Sequence, residues 1–371
     1  MKICAVIAEY NPFHTGHALQ IEYIRRHLPD TAVVAIMSGN VVQRGELALL
    51  DKYTRARTAL LSGADAVLEL PYPWCGGSAG YFARGGMEIA KGIGAHYLCF
   101  GSESGDINEL TAVAERTADP TYLSMIETLV NDEPDSPYIS LTRRAYRELY
   151  GADMPEGANN TLAIEYLKNI GDIIPVTYKR THPSSASAAR GYYRLGDAEA
   201  LRCTVPEAAY EIYRNNTPTP ASALDSVILW RLRTADPAEL CRYADIDMGI
   251  AVRMISAAAE AVSAEDFFAR CATKKYTNSR LRRCVLNLLL GTEKHMLEAI
   301  PVFTVLLGAN DVGRQVLKQV KKQQGIHIIT KPADHGEVRG QFEFSNRADR
   351  LFATARRESA SDMMKKMPVI L

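Results

Sequence analysis

Glu9-Tyr10-Asn11-Pro12-Phe13-His14-Thr15-Gly16-His17, directly after the apolar run Lys2-Ile3-Cys4-Ala5-Val6-Ile7-Ala8, decides the reading of this chain. The apolar run reads as a buried strand. Asn11-Pro12 signals a turn. Residues 18–28, with Leu19, Tyr23, Ile24 and Leu28 at helical spacing, read as a helix. The motif therefore sits where a strand passes into its first helix. A helix N-terminus offers unpaired N–H groups and the positive end of a dipole, and both favour phosphate. His14 and His17 are three apart, on one face of the first turn, and Gly16 leaves room for close approach. Two imidazoles there can donate to oxygens on a phosphorus centre as negative charge builds up. That is electrostatic stabilisation of phosphoryl or nucleotidyl transfer. As metal ligands the pair lacks a Cys, Asp or Glu at neighbouring helical spacing; two structural histidines are the other alternative.

Outward from this stretch, strands and helices alternate. Residues 32–37, 66–70 and 97–100 read as strands, and residues 51–62 and 78–91 as helices. Continuous apolar strands between helices imply a Rossmann-like α/β fold, a parallel sheet covered on both faces. Such sheets bind ligands beyond the carboxyl ends of their strands. Residues 106–150 are mostly helical, 159–169 form another helix, and 174–179 a fifth strand ending at Arg180-Thr181-His182-Pro183. The small, polar segment 184–196 opens a helix. Beyond Pro206 strands give way to helices at 227–233, 250–261, 264–272, 280–290 and 312–322, with a short strand at 326–330. Thr217-Pro218-Thr219-Pro220 reads as a linker. The expected organisation is a catalytic domain over 1–200 and a mostly helical domain over 201–371.

The 371 residues carry 43 Lys+Arg and 43 Asp+Glu, which excludes a protein basic overall but not a local basic face. No stretch reaches the roughly 18 apolar residues of a membrane span, and the apolar N-terminal run is too short for a secretory signal. The seven cysteines include no C-x-x-C pair, so reduced thiols in a cytoplasmic protein are expected, without a zinc ribbon or disulfide framework. Between Arg270 and Leu290 lie Arg270, Lys274, Lys275, Arg280, Arg282 and Arg283, around Tyr276 and without an acidic residue. That local excess suits an RNA backbone, with Tyr276 to stack a base; a solvated helix face is the plainer alternative.

His14-Thr15-Gly16-His17 after Asn11-Pro12-Phe13 resembles the HxGH motif of the nucleotidyltransferase superfamily, shared with class I aminoacyl-tRNA synthetases. Further blocks are similar to the bacterial tRNA(Met) cytidine acetate ligase family: Met37-Ser38-Gly39-Asn40-Val41-Val42-Gln43-Arg44-Gly45-Glu46, Val67-Leu68-Glu69-Leu70-Pro71 and Phe100-Gly101-Ser102-Glu103. Asn159-Asn160-Thr161-Leu162-Ala163, Lys179-Arg180 and Thr273-Lys274-Lys275-Tyr276-Thr277 with Arg280 continue the series, from residue 1 to about 330.

The resemblance implies a ligase that turns ATP and acetate into acetyl-adenylate and moves the acetyl group to N4 of the wobble cytidine of elongator tRNA(Met). It implies an HxGH nucleotidyltransferase sheet and ATP as co-substrate; ATP chemistry in turn leads us to expect Mg²⁺, and neither a membrane nor a protein partner is expected. ATP would lie along Ile7, Ala8, Glu9, Tyr10, Asn11, Pro12, Phe13, His14, Thr15, Gly16, His17, Ala18, Leu19 and Gln20, with His14 and His17 catalytic at the α-phosphate. Gly101 would admit the nucleotide, and Asn159 or Asn160 would bond adenosine. Arg180 would take a phosphate or adenine. The serine motif, Ser185, Ser187 and Arg190, would take pyrophosphate, with simple N-capping the alternative for the serines and for Asn160. The tRNA would meet Lys274, Lys275, Tyr276, Arg280 and Arg283. Arg44 would face acetate or tRNA, or else pair with Glu46; Phe13 or Tyr10 would wall the acetate pocket, or else join the core. The sequence departs from the family in the short link Thr181-His182-Pro183-Ser184 and in Ala189 before Arg190. Two other readings share these features: a small-molecule nucleotidyltransferase, and an RNA-binding module with a relic nucleotide site.

Overall fold

The computed structural model describes residues 1–180, 186–323 and 325–371. Its centre is an eight-stranded sheet. The strands are β1 (Lys2–Ala8), β2 (Thr31–Ser38), β3 (Ala66–Leu70), β4 (Tyr97–Ser102), β5 (Ile174–Lys179), β6 (Phe303–Ala309), β7 (His327–Ile329) and β8 (Val369–Ile370). Their order is β8-β6-β3-β2-β1-β4-β5, with β7 also on β6. The apolar run of β2 is buried along its whole length, as a central parallel strand requires.

From β1 the chain steps outward to β2 and β3, then crosses back to β4 and β5 on the other side. The order reverses between β1 and β4, and that crevice is where such sheets take ligands. One apolar layer packs Ile3, Ile36, Leu68, Leu98 and Phe82 on one face. The other packs Val6, Phe13, Val33, Leu60 and Tyr213.

Two expectations are corrected. Strands do not end near Pro206: Phe303–Ala309 is a fully buried strand whose own apolar run carries the signal. It pairs antiparallel with β3, so the sheet is mixed rather than purely parallel. The C-terminal region is mostly helical, as expected, but the sheet crosses the division at residue 200. Between the two parts of the sheet lies a helical unit with its own core of Leu232, Ile250, Met254, Phe267 and Leu281. The expected linker is fastened at Thr219, whose N–H and hydroxyl both donate to the Leu49 carbonyl, at 2.8 and 3.0 Å.

A short hairpin, Val41–Val42 with Glu46–Leu47, was not anticipated. Gly45 at its tip has φ +77°, and a side chain there would run into the backbone of Arg282 and Arg283, so the hairpin lies flat on the Asn278–Leu290 helix. A buried charge cluster ties the C-terminus to the sheet. Lys52 Nζ lies 2.7 Å from Glu69 on β3 and 2.7 Å from Asp349 on the Arg339–Arg356 helix. Burial pushes the Glu69 carboxyl up to about 7, against the pull of Lys52.

Candidate active site

The first helix runs Thr15–His27 and His14 is its N-cap, so it begins three residues earlier than the spacing predicts. The side chains explain why. His14 Nδ1 accepts the Gly16 N–H at 3.0 Å, and His17 Nδ1 accepts the His14 N–H at 3.1 Å. This is a capping box built from two histidines. Both Nδ1 atoms act as acceptors, so the proton of each neutral ring sits on Nε2. The rings lie 3.8 Å apart at 30°. Burial holds His17 well below the usual imidazole range, and His14 and then Arg180 push it further down. The site thus presents a neutral, donating imidazole at a helix N-terminus, which suits an oxygen gaining negative charge.

The rest of the motif loop is held from other elements. Tyr213 on the Glu207–Arg214 helix bonds both polar atoms of Phe13: its hydroxyl accepts the Phe13 N–H at 2.8 Å and donates to the Phe13 carbonyl at 3.2 Å. Thr15 donates to the Thr204 carbonyl. Asn11 Oδ1 accepts the Leu49 N–H, and Gln20 reaches the Cys99 carbonyl on β4. Tyr10 and Phe13 are fully buried, with ring centroids 4.9 and 5.3 Å from His17; they are the wall behind that imidazole. The Ile7 side chain turns toward Gly86 and Ala8 packs into the core. Leu19 lies at the exposed mouth.

On the β4 side, a Cβ at Gly101 would sit 2.9 Å from the Tyr178 ring and 2.9 Å from the Arg180 stem. Gly101 therefore lets these two side chains close over the strand end. With Gly16, Leu19 and Tyr23 they line a cleft of about 290 Å³. The hydroxyls of Tyr10 and Tyr178 are buried with no hydrogen-bond partner among the described residues.

The two asparagines separate. Asn160 is buried and spent on the protein: it takes the Ser104 N–H on its oxygen and donates to the Glu156 carbonyl. It lies in the first turn of a helix whose N-cap is Gly157, so it is not the cap. Asn159 donates to Glu103 at 2.7 Å and keeps its amide oxygen. Burial alone would raise Glu103, but N–H donors from Asn159 and Asn160 outweigh it and hold the carboxyl below its usual range.

Arg190 donates to the Asn11 carbonyl at 2.9 Å and to Ser187 Oγ at 2.9 Å. Ser187 sits inside the Ala186–Leu195 helix. Ser185 and His182 lie outside the described residues. Arg44 is exposed and does not pair with Glu46. Glu46 instead faces Arg282 at 2.8 Å and Arg194 at 4.0 Å.

The basic stretch keeps its residues together but loses its one-signed character. Lys275 pairs with Asp135 at 3.1 Å, Arg280 with Asp247 at 3.1 Å and Arg283 with Asp245 at 3.2 Å. These acids lie far away in sequence, so the acid-free run is not acid-free in space. Lys275 and Arg280 both lie over the Tyr276 ring, Lys274 is exposed, and the Arg283 side chain is only 13% exposed.

Sequence reasoning missed four fastenings of the site. Tyr213 and Thr204 carry no local signal, since each acts on a loop about 190–200 residues away. Arg55 is buried and reaches the carbonyls of Leu50, Glu9, Ser38 and Gly39. Glu103 stands inside the block Phe100-Gly101-Ser102-Glu103, and an acid beside a glycine strand end is a signal that was there to find.

Comparison with known proteins agrees with this geometry. A family model described as HIGH Nucleotidyl Transferase matches residues 1–366. The chain is 31% identical to the tRNA(Met) cytidine acetate ligase of Acetivibrio thermocellus, over 90% of this chain and 89% of that one. It is 31% identical to the protein of the same name from Anoxybacillus flavithermus, over 89% of each. Its backbone matches the crystal structure of Thermotoga maritima TmcAL bound with alpha-thio ATP at a TM-score of 0.93 and 27% identity, over 100% of both chains. With a match that runs almost end to end, over a sheet that reverses beside a capped histidine pair, this chain belongs to the HIGH nucleotidyl transferase family.

Proposed function

We propose that the protein is an ATP-dependent tRNA(Met) cytidine acetate ligase: it activates acetate as acetyl-adenylate and acetylates N4 of the wobble cytidine of elongator tRNA(Met). One observation carries the reading: two neighbouring imidazoles form the cap of a helix N-terminus, their Nδ1 atoms accepting backbone N–H groups, which puts the proton of a neutral ring on Nε2, a donor suited to phosphate. The relatives' names and the nucleotide-bound neighbour support it.

ATP enters the crevice between β1 and β4. Acetate attacks the α-phosphorus in line, and pyrophosphate departs as His14 and His17 donate to the oxygens that gain charge. Arg180, close enough to depress His17, holds a phosphate or the adenine. Ser187 and Arg190 face the departing pyrophosphate. The unpartnered hydroxyls of Tyr10 and Tyr178 gain partners when the nucleotide fills the cleft. Of the two asparagines, Asn159 bonds the adenosine, since Asn160 is buried and both ends of its amide already bond the protein backbone. Mg²⁺ would come with ATP as part of the substrate and would offset the charge of its phosphates.

The acceptor RNA lies along the helical unit, with Lys274, Lys275, Tyr276 and Arg280 at its backbone and Arg283 set behind them. Free tRNA and ATP place the reaction in the cytoplasm. Among the described residues no helix is long and apolar enough to cross a membrane.

The test is acetate-dependent ATP–pyrophosphate exchange, followed by mass spectrometry of tRNA(Met) incubated with labelled acetate. Exchange together with a labelled N4-acetylcytidine is the expected result. Adenylyl transfer to a small nucleotide, with no use of tRNA, would overturn it.

A further inference from the structure

We propose that Glu9 is the base for the second half-reaction: its carboxylate accepts an N4–H of the acceptor cytidine and takes that proton as the nitrogen attacks the acyl-adenylate. The proposal deepens the ligase reading and rests on it.

Glu9 follows β1 directly, at the carboxyl edge of the sheet where ligands bind. One oxygen, Oε1, is fixed by the Gln43 N–H at 2.7 Å. The backbone is fixed as well, by Arg55 Nη1 on the Glu9 carbonyl at 2.7 Å. The second carboxylate oxygen has no hydrogen-bond partner among the described residues. Three cations face the group: Arg190 from the Ala186–Leu195 helix, Arg44 from the hairpin and Arg55 from the Lys52–Leu61 helix. Tyr166 faces it from the Ala158–Lys168 helix.

None of the three arginines closes an ion pair with Glu9. Arg55 is spent on carbonyls and Arg190 on Asn11 and Ser187. A structural carboxylate among three arginines would pair with one of them. This one is held by a single backbone donor with its other oxygen presented outward.

The chemistry fits that arrangement. A carboxylate accepting from N4–H is the standard side-chain reading of cytosine. The amine is a weak nucleophile because its lone pair is drawn into the ring, so removing its proton during attack is worthwhile. In the step, the N4–C bond forms, the acyl C–O bond to AMP breaks, and the N4 proton passes to Glu9. AMP leaves with its charge facing the two imidazoles. Burial raises the Glu9 carboxyl above its ordinary range, against the Gln43 N–H and the three arginines, which brings it closer to the operating pH of a general base. A groove of about 360 Å³ between the hairpin and the helical unit is lined by Glu46, Arg194, Phe268 and Arg282. Arg194 stands one helical turn from Arg190, one of the three cations around Glu9, so the groove adjoins the helix that faces the carboxylate.

The test uses the full-length chain with Glu9→Gln and Glu9→Asp. Acetate-dependent ATP–pyrophosphate exchange and single-turnover transfer of labelled acetyl to tRNA(Met) are measured on the same preparations. In Glu9→Gln, transfer should fall at least about a hundred-fold more than exchange, and the acidic limb of the transfer pH profile should disappear. Glu9→Asp, which keeps the charge on a shorter arm, should recover part of the transfer and restore that limb. Equal losses in exchange and transfer, or a pH profile that keeps its acidic limb in Glu9→Gln, would overturn the proposal. Absence of acetate-dependent exchange in the unaltered chain is a distinct result, since it removes the ligase reading itself and the proposal with it.

Discussion

His17 Nδ1 accepts the backbone N–H of His14 at 3.1 Å, and their ring centroids lie 3.8 Å apart at a 30° tilt. Each imidazole is therefore part of the helix cap, beside the role at the phosphate proposed for it. Replacing either by alanine should cost acetate-dependent exchange about 10²–10³-fold, the usual range for one preorganised donor. The lost cap should cost stability only about 1 kcal/mol. Exchange rates and unfolding midpoints measured on the same variants separate the two effects; a rate that falls only as the fold weakens would count against a role at the phosphate.

The depressed His17 has a signature in pH. Unfolded histidine takes up a proton near pH 6.5, whereas the folded ring stays neutral well below that. Its contribution to stability is thus present above pH 6.5 and is lost as pH falls toward the folded pKa. The stability difference between the unaltered chain and His17→Gln should shrink on acidification from pH 7 to pH 5. A constant difference would mean that His17 titrates normally.

We propose Tyr213 as a positioning residue, because its hydroxyl bonds both backbone polar atoms of Phe13 in the loop before His14. Tyr213→Phe leaves the buried Phe13 N–H without its acceptor, at a cost of about 1–3 kcal/mol. The loop before His14 should then sample looser geometries, and kcat for exchange should drop about tenfold while KM for ATP stays the same. A change in KM alone would refute this division.

The Lys52 ammonium is buried between two carboxylates, Glu69 and Asp349. Asp349→Ala leaves Lys52 with Glu69 alone and takes the acceptor from the buried Asn40 amide, so it should destabilise the chain by about 1–3 kcal/mol, read from denaturant unfolding. An unfolding curve indistinguishable from that of the unaltered chain would refute the cluster's structural weight.

For the tRNA contact proposed on the helical unit, exposure separates the candidate cations. Binding of tRNA should weaken linearly with the logarithm of salt concentration, and Lys274→Ala should lower that slope by about one contact. Arg283→Ala, 13% exposed and bonded to Asp245, should leave the slope unchanged. Filter binding over a salt series distinguishes them, and the reverse order would move the RNA to another face.

Much of the site could be read before any coordinates, for local reasons. The run Lys2–Ala8, the turn at Asn11-Pro12 and the histidine spacing are all set within about seventeen residues. The parallel strands declare themselves through unbroken apolar runs, because both of their faces are covered. What stayed hidden is set by distance along the chain. The acids that neutralise Arg280 and Arg283 lie more than thirty residues away, and Tyr213 meets Phe13 across 200 residues. Asn159 and Asn160 look alike in sequence, and only the hydrogen bonds to Glu103, Ser104 and Glu156 tell them apart.

The late strand β6 has a consequence for how the chain is made. On the ribosome, β3 emerges and pairs with β2 while its other edge waits for a partner more than two hundred residues downstream. An unpaired, apolar edge is a template for association with other chains. Nascent chains stalled before residue 303 should therefore be sticky and depend on chaperones, and solubility should return abruptly once Phe303–Ala309 and the Asp349 that answers Lys52 have been synthesised.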